Sequence, residues 1–144
     1  MPYRNQIRQL ITAANALDGI YYELSKVCEI KDNMLSLLYA LDDGAAHTQT
    51  QICQKWLIPK TTLNTVVREC VQAGYLEKET RGRDKYLKLT PTGTAYARQV
   101  LAPIYQAEEA AMEQTLRSFS PAFIQAFQAF TAAMEAACPL GDDK

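Results

Sequence analysis

The sequence is poor in the residues that most catalytic and metal-binding sites require. It has one histidine, His47, which precedes a predicted helix cap and is expected to be a solvated turn residue. It has no C-x-x-C pair and no glycine-rich phosphate-binding loop, so neither a zinc site nor a phosphate site of that kind is expected. These absences predict a protein that is not an enzyme and has no metal, no cofactor and no catalytic residue.

The four cysteines are too widely spaced to suggest a framework of disulfides or metal ligands. Cys53 and Cys70 fall on predicted apolar helix faces, where a cysteine usually behaves as a small hydrophobe. Cys28 lies near a predicted helix end and is expected to be the least confined. Whether any of them senses oxidants stays open. The complete set is Cys28, Cys53, Cys70 and Cys138.

Long hydrophobic runs are also missing. No apolar run approaches the roughly 18 residues that a membrane-spanning helix needs, and the first eight residues lack the apolar segment of a signal peptide. The length of 144 residues and the hydrophobic content of 48% predict one globular domain over residues 1–144. We expect a cytoplasmic protein with no membrane partner.

A strong net charge is absent from the whole chain, but the two signs are unevenly distributed. Residues 48–90 contain eight basic and four acidic residues, a net charge of +4, whereas the remainder carries −5 and the chain −1. Such asymmetry predicts a positive face on an acidic body, a pattern typical of proteins that bind nucleic acid.

Apolar residues at three- and four-residue steps predict two helices before the basic segment. The first covers about 4–26. The second begins at Asp32, a good N-cap, and runs through Leu41. Gly44 follows and suits a left-handed cap.

Residues 48–73 predict two further helices joined by a turn. Thr48 and Gln51 have the spacing of a capping box, which starts a short helix over about 49–56. Pro59 is placed to start the next helix, which runs to about residue 73 and stops at Gly74.

Two short segments of alternating polarity, at 75–79 and 85–89, predict a hairpin. Gly82 in its loop suits a turn position with positive φ. Helix, turn, helix and hairpin in this order predict a winged helix-turn-helix. The fold class is therefore mainly α with a small β-hairpin wing, a winged helix-turn-helix at 48–90 flanked by N- and C-terminal dimerisation helices at 4–26 and 91–137.

The predicted helix at 59–73 has an apolar face made of Leu63, Val66, Val67, Cys70 and Val71. Its opposite face contains no carboxylate, whereas an ordinary solvated face, which is the alternative, usually mixes both signs. Hydroxyl and amide groups can approach base edges, and cations can contact phosphate or guanine. This polar face consists of Lys60, Thr61, Asn64, Thr65, Arg68 and Gln72.

The tip of the predicted hairpin is basic. Arg81 and Arg83 flank Gly82, and an arginine there can enter a minor groove or hold the phosphate backbone; a soluble turn is the ordinary alternative. The start of the polar helix would point into the major groove, so its first residues are expected to reach bases. The predicted DNA-binding set is Thr48, Gln49, Lys60, Thr61, Thr62, Asn64, Thr65, Arg68, Arg81, Arg83 and Lys85.

The runs WLIPKTTLN at 56–64, GYLEK at 74–78 and GRDKYLKLTPTG at 82–93 resemble the MarR family of bacterial winged helix-turn-helix transcription regulators. The resemblance implies a homodimer with intertwined terminal helices, in which two winged helices bind a pseudo-palindromic operator in double-stranded DNA. It also matches residues 60–68 to the recognition helix and Arg83 to a wing arginine. The chain departs from many members in having Pro59 where they have serine, and in its shorter wing.

The C-terminal region at 91–137 carries a wide apolar stripe. Pro103 should bend or break its first helix, and Ser120–Pro121 opens its last one. A stripe at helical spacing suits an intramolecular core or a dimer interface, and both stay open. Its members are Phe123, Phe127, Phe130 and Met134.

Members of the MarR family often respond to small phenolic or aromatic ligands, or to oxidants. Several tyrosines on predicted helices could line a pocket between the dimer helices and the DNA-binding module, or could simply pack in the core. No ligand-binding residue is assigned. The tyrosines concerned are Tyr21, Tyr22, Tyr39, Tyr96 and Tyr105.

The leading hypothesis is a dimeric, sequence-specific DNA-binding regulator, a repressor relieved by a small ligand or an oxidant. The alternative is a winged helix that binds another protein and does not touch DNA, because a fold alone does not establish a function. The carboxylate-free helix face favours the first hypothesis. The sequence names neither the operator nor the inducer.

Overall fold

Helices dominate the computed structural model, which describes residues 1–139. This part of the chain forms two compact units, Met1–Tyr105 and a second that begins at Gln106. The expectation of a single domain stays a prediction. In chain order the elements are α1 (Arg4–Val27), α2 (Asp32–Leu41), β1 (His47–Thr48), α3 (Gln49–Trp56), α4 (Lys60–Gln72), β2 (Leu76–Arg81), β3 (Asp84–Leu89), α5 (Pro91–Val100), α6 (Ala102–Leu116) and α7 (Ala122–Ala137).

The core of the first unit forms around α2, which is apolar on most of its circumference. Leu37, Leu38 and Leu41 are at most 1% exposed, and burying each leucine contributes about 1.5–3 kcal/mol. The later elements, from α3 to α6, add further apolar side chains to this core, and α4 adds more of them than any other element. These include Ile52 of α3, Leu63, Val67 and Cys70 of α4, Leu87 of β3, Ala97 of α5, and Leu101 and Ile104.

The start of α2 differs from the prediction by one residue. Asp32 is the first helical residue, and Lys31 is the N-cap, with extended backbone and no side-chain capping bond. Asp32 therefore acts through its charge near the positive end of the helix dipole. Gly44 does adopt a left-handed conformation (φ +76°), but it lies in the connection beyond Asp42, which caps the helix.

The capping box at the start of α3 is confirmed. The backbone N–H of Gln51 donates to the Thr48 hydroxyl at 3.1 Å, and the Thr48 N–H donates to the Gln51 side-chain oxygen at 3.0 Å. Leu57 then ends the helix in a left-handed conformation. Pro59 is the N-cap of α4 rather than its first residue, because its ψ of 141° is extended.

The wing is a three-stranded antiparallel sheet in the order β1-β3-β2, not a two-stranded hairpin alone. The missed strand, β1, pairs His47 with Leu87 and Thr48 with Tyr86. Two residues are too few for a period-2 pattern to be visible in the sequence. The pairing also fixes the first residues of α3 against the wing.

The predicted break near Pro103 is confirmed. Helix α5 ends at Val100, and α6 starts at Ala102, so the proline occupies the second helical position, where its missing N–H costs nothing.

In the second unit, α7 begins after Ser120, whose hydroxyl accepts the backbone N–H of Ala122 at 3.0 Å. No residue of α7 is buried, and Phe123 and Phe127 are 41% and 43% exposed. Among residues 1–139, no helix is both long and apolar enough to cross a membrane.

Candidate nucleic-acid interface

The polar face of α4 is open to solvent. Its predicted members Lys60, Thr61, Asn64, Thr65, Arg68 and Gln72 are all exposed, whereas Thr62 is half-buried at the edge of the face. The opposite face packs into the core through Leu63, Val66, Val67 and Cys70. The assignment of Val71 to the apolar face is wrong, since it is 38% exposed. It follows the buried Val67 by four residues, but the neighbouring elements do not extend over it.

Glu69 is the one carboxylate in α4, and it lies outside the polar face. Its carboxylate is 3.9 Å from the Lys31 ammonium, at the start of α2. The polar face therefore presents an ammonium, a guanidinium, hydroxyls and amides without an anion between them, a composition that suits a polyanion.

Gln49 connects the start of α3 to this face. Its side-chain N–H donates to the Asn64 side-chain oxygen at 3.0 Å, so the Asn64 amide is held in one orientation. An asparagine amide has two donor hydrogens and an oxygen with two lone pairs, which leaves Asn64 able to form the paired hydrogen bonds that recognise adenine. Thr48, in contrast, uses its hydroxyl in the capping box, so it positions α3.

The wing turn consists of Gly82 and Arg83, which the pair Arg81 and Asp84 closes. Gly82 has φ +62° and Arg83 does not have positive φ, the pattern of a type II′ turn with glycine at its first position. This geometry puts Arg83 at the tip, where it is exposed, and Lys85 follows on β3.

The two arginines of the wing are in different environments. Arg81 donates to the Glu79 carboxylate at 3.0 Å, and its guanidinium lies 4.8 Å from the centre of the Tyr86 ring. The hydrogen bond from Arg81 lowers the pKa of Glu79 and keeps that carboxylate ionised. Arg83 forms no ion pair with another residue in the range 1–139. Of the two arginines, Arg83 is therefore the one whose charge is available to a partner.

The base of the wing is fixed to α5 by Thr90 and Gly93. The Thr90 hydroxyl donates to the Gly74 carbonyl at 2.6 Å and accepts the Gly93 N–H at 2.9 Å. Gly93 packs so closely on the backbone that a Cβ there would lie 1.9 Å from the Tyr75 carbonyl oxygen. Tyr75 also stacks on Tyr96, with ring centres 4.1 Å apart. The wing thus has a fixed position beside α4.

Comparisons with known proteins agree with this geometry. The family model described as MarR family matches residues 30–85, which include α4 and the wing tip. The solved MarR family regulator NMB1585 from Neisseria meningitidis is 26% identical, covers 91% of this chain and 92% of its own, and superposes with a TM-score of 0.69. Over residues 30–85 the chain therefore resembles the MarR family, and it shares the fold of a MarR family regulator along most of its length.

Other solved structures share the fold at lower identity. NadR, solved in complex with 4-hydroxyphenylacetate, is 17% identical, covers 88% of this chain and 89% of its own, and has a TM-score of 0.68. The Staphylococcus aureus MarR, solved with salicylate and kanamycin, is 17% identical, covers 94% and 91%, and has a TM-score of 0.63. No curated protein sequence matches the chain.

The family match over residues 30–85 and the likeness to NMB1585 support a DNA-binding transcription regulator rather than an enzyme. The role of each residue in DNA contact stays a prediction. The structure brings most of the predicted residues onto the outer face of α4 and the wing of a MarR fold. The side chains of five of them have partners within the chain. Thr48 is in the capping box, Arg81 donates to Glu79, Gln49 donates to Asn64, and the Thr65 hydroxyl donates to the Thr61 carbonyl.

A cavity of about 530 Å³ lies between α1, α2 and the end of α3, and no local pattern in the sequence indicates it. It is formed by three helices whose contributing residues are up to 38 positions apart in the sequence, so no spacing rule could join them. Three of the five tyrosines named above line it, whereas Tyr96 and Tyr105 do not. Its lining residues are Asp18, Tyr21 and Tyr22 of α1, Asp32, Leu35, Ser36 and Tyr39 of α2, and Trp56 of α3.

An aromatic and polar cluster continues from the cavity wall. The Tyr39 ring lies edge-on to Trp56 at 5.4 Å and packs on Tyr105 at 5.9 Å. The Tyr105 hydroxyl donates to the Asp42 carboxylate at 2.7 Å, and Arg98 donates to the same carboxylate at 3.3 Å. These contacts join the end of α3 to α2, α5 and the start of α6.

The remaining sequence candidates have structural roles. His47 is half-buried in β1 rather than in a solvated turn, with Nε2 2.7 Å from Asp43. Burial raises the pKa of Asp43, but the hydrogen bonds from the Ala45 N–H and from His47 outweigh it, so the pKa is lowered.

Two of the cysteines are poorly suited to oxidant sensing, which requires a thiolate. Burial, with a smaller effect of Glu69, raises the pKa of the Cys70 thiol to about 11, and burial also raises the pKa of Cys28. Cys53 is half-buried, and Cys138 is the exposed one, so the expectation that Cys28 would be the least confined is wrong.

Proposed function

We propose that this regulator is a homodimeric repressor that binds a pseudo-palindromic operator. The observation that supports this most is the exposed, carboxylate-free face of α4 beside a wing tip that carries Arg83. One α4 helix would enter the major groove of each half-site, and each wing would contact the flanking backbone or minor groove. Bound over a promoter, the dimer would exclude polymerase.

Some residues of the α4 face would contact bases and others would contact phosphates. Asn64, held by Gln49, and Thr61 would contact base edges. Lys60 and Arg68 would contact phosphates, and Arg83 would add a contact at the wing. Phosphate contacts supply affinity that falls with salt, whereas base contacts supply sequence preference. The two groups are therefore distinguishable by experiment.

A dimer is supported by the apolar side chains that the terminal helices leave exposed. On α1, Ile7 and Ile11 are 38% and 41% exposed, and on α7 the two phenylalanines at 123 and 127 are exposed to a similar extent. An exposed apolar stripe on a helix often marks a protein interface. Dimerisation would place two α4 helices about 34 Å apart, one turn of DNA.

Relief by a small ligand is supported by the cavity. Trp56 in its wall is the last residue of α3, four residues before α4 begins at Lys60. A ligand that moved Trp56 would therefore alter the position of α4 and the spacing of the two recognition helices, which would weaken binding to half-sites of fixed spacing. The complexes of NadR with 4-hydroxyphenylacetate and of S. aureus MarR with salicylate and kanamycin make a ligand-responsive role reasonable.

The test is the affinity for a duplex selected from fragments of the host genome, compared with a shuffled duplex, over a salt titration. We expect a preference of about a thousandfold or more at physiological salt and two chains per duplex. Lys60→Ala and Arg68→Ala should weaken binding to both duplexes. Arg117→Ala, which removes a cation just after the end of α6, should not.

Equal affinity for selected and shuffled duplexes at physiological salt would contradict sequence-specific repression. It would leave the protein-binding winged helix as the remaining function.

A further inference from the structure

The walls of the cavity between α1, α2 and α3 combine aromatic rings with negative charge. Asp18 comes from α1 and Asp32 from the first turn of α2, so two carboxylates approach the cavity from two different helices. Lysine, arginine and histidine are absent from its lining within residues 1–139. A carboxylate ligand would therefore meet two like charges and no cation.

The cations nearest in sequence are paired outside this lining. Lys31 precedes Asp32 but is directed to Glu69, at 3.9 Å. Lys26 pairs with Glu23 at 3.0 Å. Neither lysine belongs to the cavity wall, and neither is paired with Asp18 or Asp32. The −5 net charge of the chain outside residues 48–90 adds to the attraction for a positive ligand.

The aromatic walls favour a positive charge as well. A cation within about 6 Å of the face of a tryptophan or tyrosine ring is attracted by the ring quadrupole. The Lys26 ammonium already lies 4.5 Å from the centre of the Tyr22 ring, so a ligand cation would be attracted by the Trp56 ring instead. Trp56 is held edge-on by Tyr39, so its ring is positioned before any ligand enters.

We propose that the cavity binds a positively charged, mostly apolar small molecule, an amine or quaternary ammonium with an aromatic or aliphatic body. The ammonium lies between Asp18 and Asp32, and the apolar body packs on Trp56, Tyr39 and Leu35. This ligand class is opposite in charge to 4-hydroxyphenylacetate and salicylate. The proposal rests on the proposed function only in that occupancy of this cavity would release DNA.

Trp56 provides the measurement, because it is the only tryptophan in the chain and lies in the cavity wall. Its fluorescence is excited selectively and titrated with 2-phenylethylamine, 2-phenylethanol and phenylacetate. These probes share a phenyl ring and differ in charge. We expect the amine to bind about tenfold more tightly than the alcohol, and the acid to bind most weakly.

Charge-removing variants identify the groups responsible. Asp18→Asn/Asp32→Asn should remove most of the tenfold preference for the amine and leave the affinity for the alcohol within about twofold. Asp84→Asn, on the wing, removes one carboxylate far from the cavity lining and should leave all three affinities unchanged. Both aspartates of the cavity are exposed, so the double variant is expected to fold.

Phenylacetate binding as tightly as 2-phenylethylamine would overturn the proposal, as would an amine affinity that the double aspartate variant leaves intact. The titration contains no DNA, so its result does not depend on whether the proposed function is correct. If the amine binds as expected but does not release the selected duplex, the ligand class holds and the relief mechanism fails.

Discussion

The outer face of α4 and the cavity behind α3 are two open surfaces of the same unit with opposite chemistry. The α4 face presents lysine, arginine, threonine and asparagine without a carboxylate, whereas the cavity presents aromatic rings and two aspartates without a cation. The first draws on the +4 segment and the second mainly on the −5 remainder. The uneven charge along the chain thus produces two surfaces that suit partners of opposite charge. Trp56 lies in the wall of the cavity and precedes α4 by four residues.

The largest effect is expected at the contact between Gly93 of α5 and Tyr75, which fixes the wing beside the α4 face. Gly93→Ala would place a Cβ 1.9 Å from the Tyr75 carbonyl oxygen, and neither backbone can yield without moving the wing away from α5. We expect a loss of about 3 kcal/mol in the free energy of unfolding, measured by urea denaturation, together with weaker DNA binding.

The matched control is Gly19→Ala. Gly19 lies inside α1, and a Cβ there would meet nothing within 4 Å, so replacing it should stabilise the protein by roughly 0.5–1 kcal/mol. If both variants had the same stability, the close packing at Gly93 would not be what fixes the wing.

Much of the positive surface could be predicted because its signals are local. The capping box at Thr48 and Gln51 lies within four residues, and the wing turn requires only Gly82 between two strands. The strand β1 and the cavity could not be predicted in this way. His47 pairs with Leu87, and the cavity joins Asp18 to Trp56, across separations at which tertiary packing and not local pattern decides the contact.

The environment of individual side chains could not be predicted from the sequence either. Arg81 and Arg83 look equivalent on either side of Gly82, yet Arg81 is tied to Glu79 and Tyr86. Val71 fits the apolar spacing of α4 and is nevertheless exposed. Spacing gives the angle of a side chain about the helix axis, but not how far the neighbouring elements extend over it.

A smaller effect is expected from two variants that distinguish a residue that contacts a base from a residue that positions it. Asn64→Ala should reduce discrimination at one base position by roughly 1–3 kcal/mol, measured with single-substitution duplexes. Gln49→Ala should reduce it at the same position by about 1 kcal/mol, since Gln49 acts by holding the Asn64 amide. The double variant should lose no more than Asn64→Ala alone.

Gln54→Ala is the control for Gln49→Ala, because Gln54 is an exposed glutamine of the same helix, α3. It should change no base preference. Strict additivity of the Gln49 and Asn64 substitutions would mean that Gln49 contacts DNA independently and does not position its neighbour.

The smallest effect concerns the two arginines of the wing and is visible mainly in the salt dependence. Arg83→Ala should reduce the slope of log affinity against log salt by about 0.9 for each bound wing, hence about 1.8 for a dimer that uses both. Glu79→Ala/Arg81→Ala removes the internal ion pair without changing the net charge, so it should leave the slope almost unchanged. If the double variant flattened the slope as much as Arg83→Ala, Arg81 would contact phosphate despite its partner. The available positive charge of the wing would then not be concentrated at its tip.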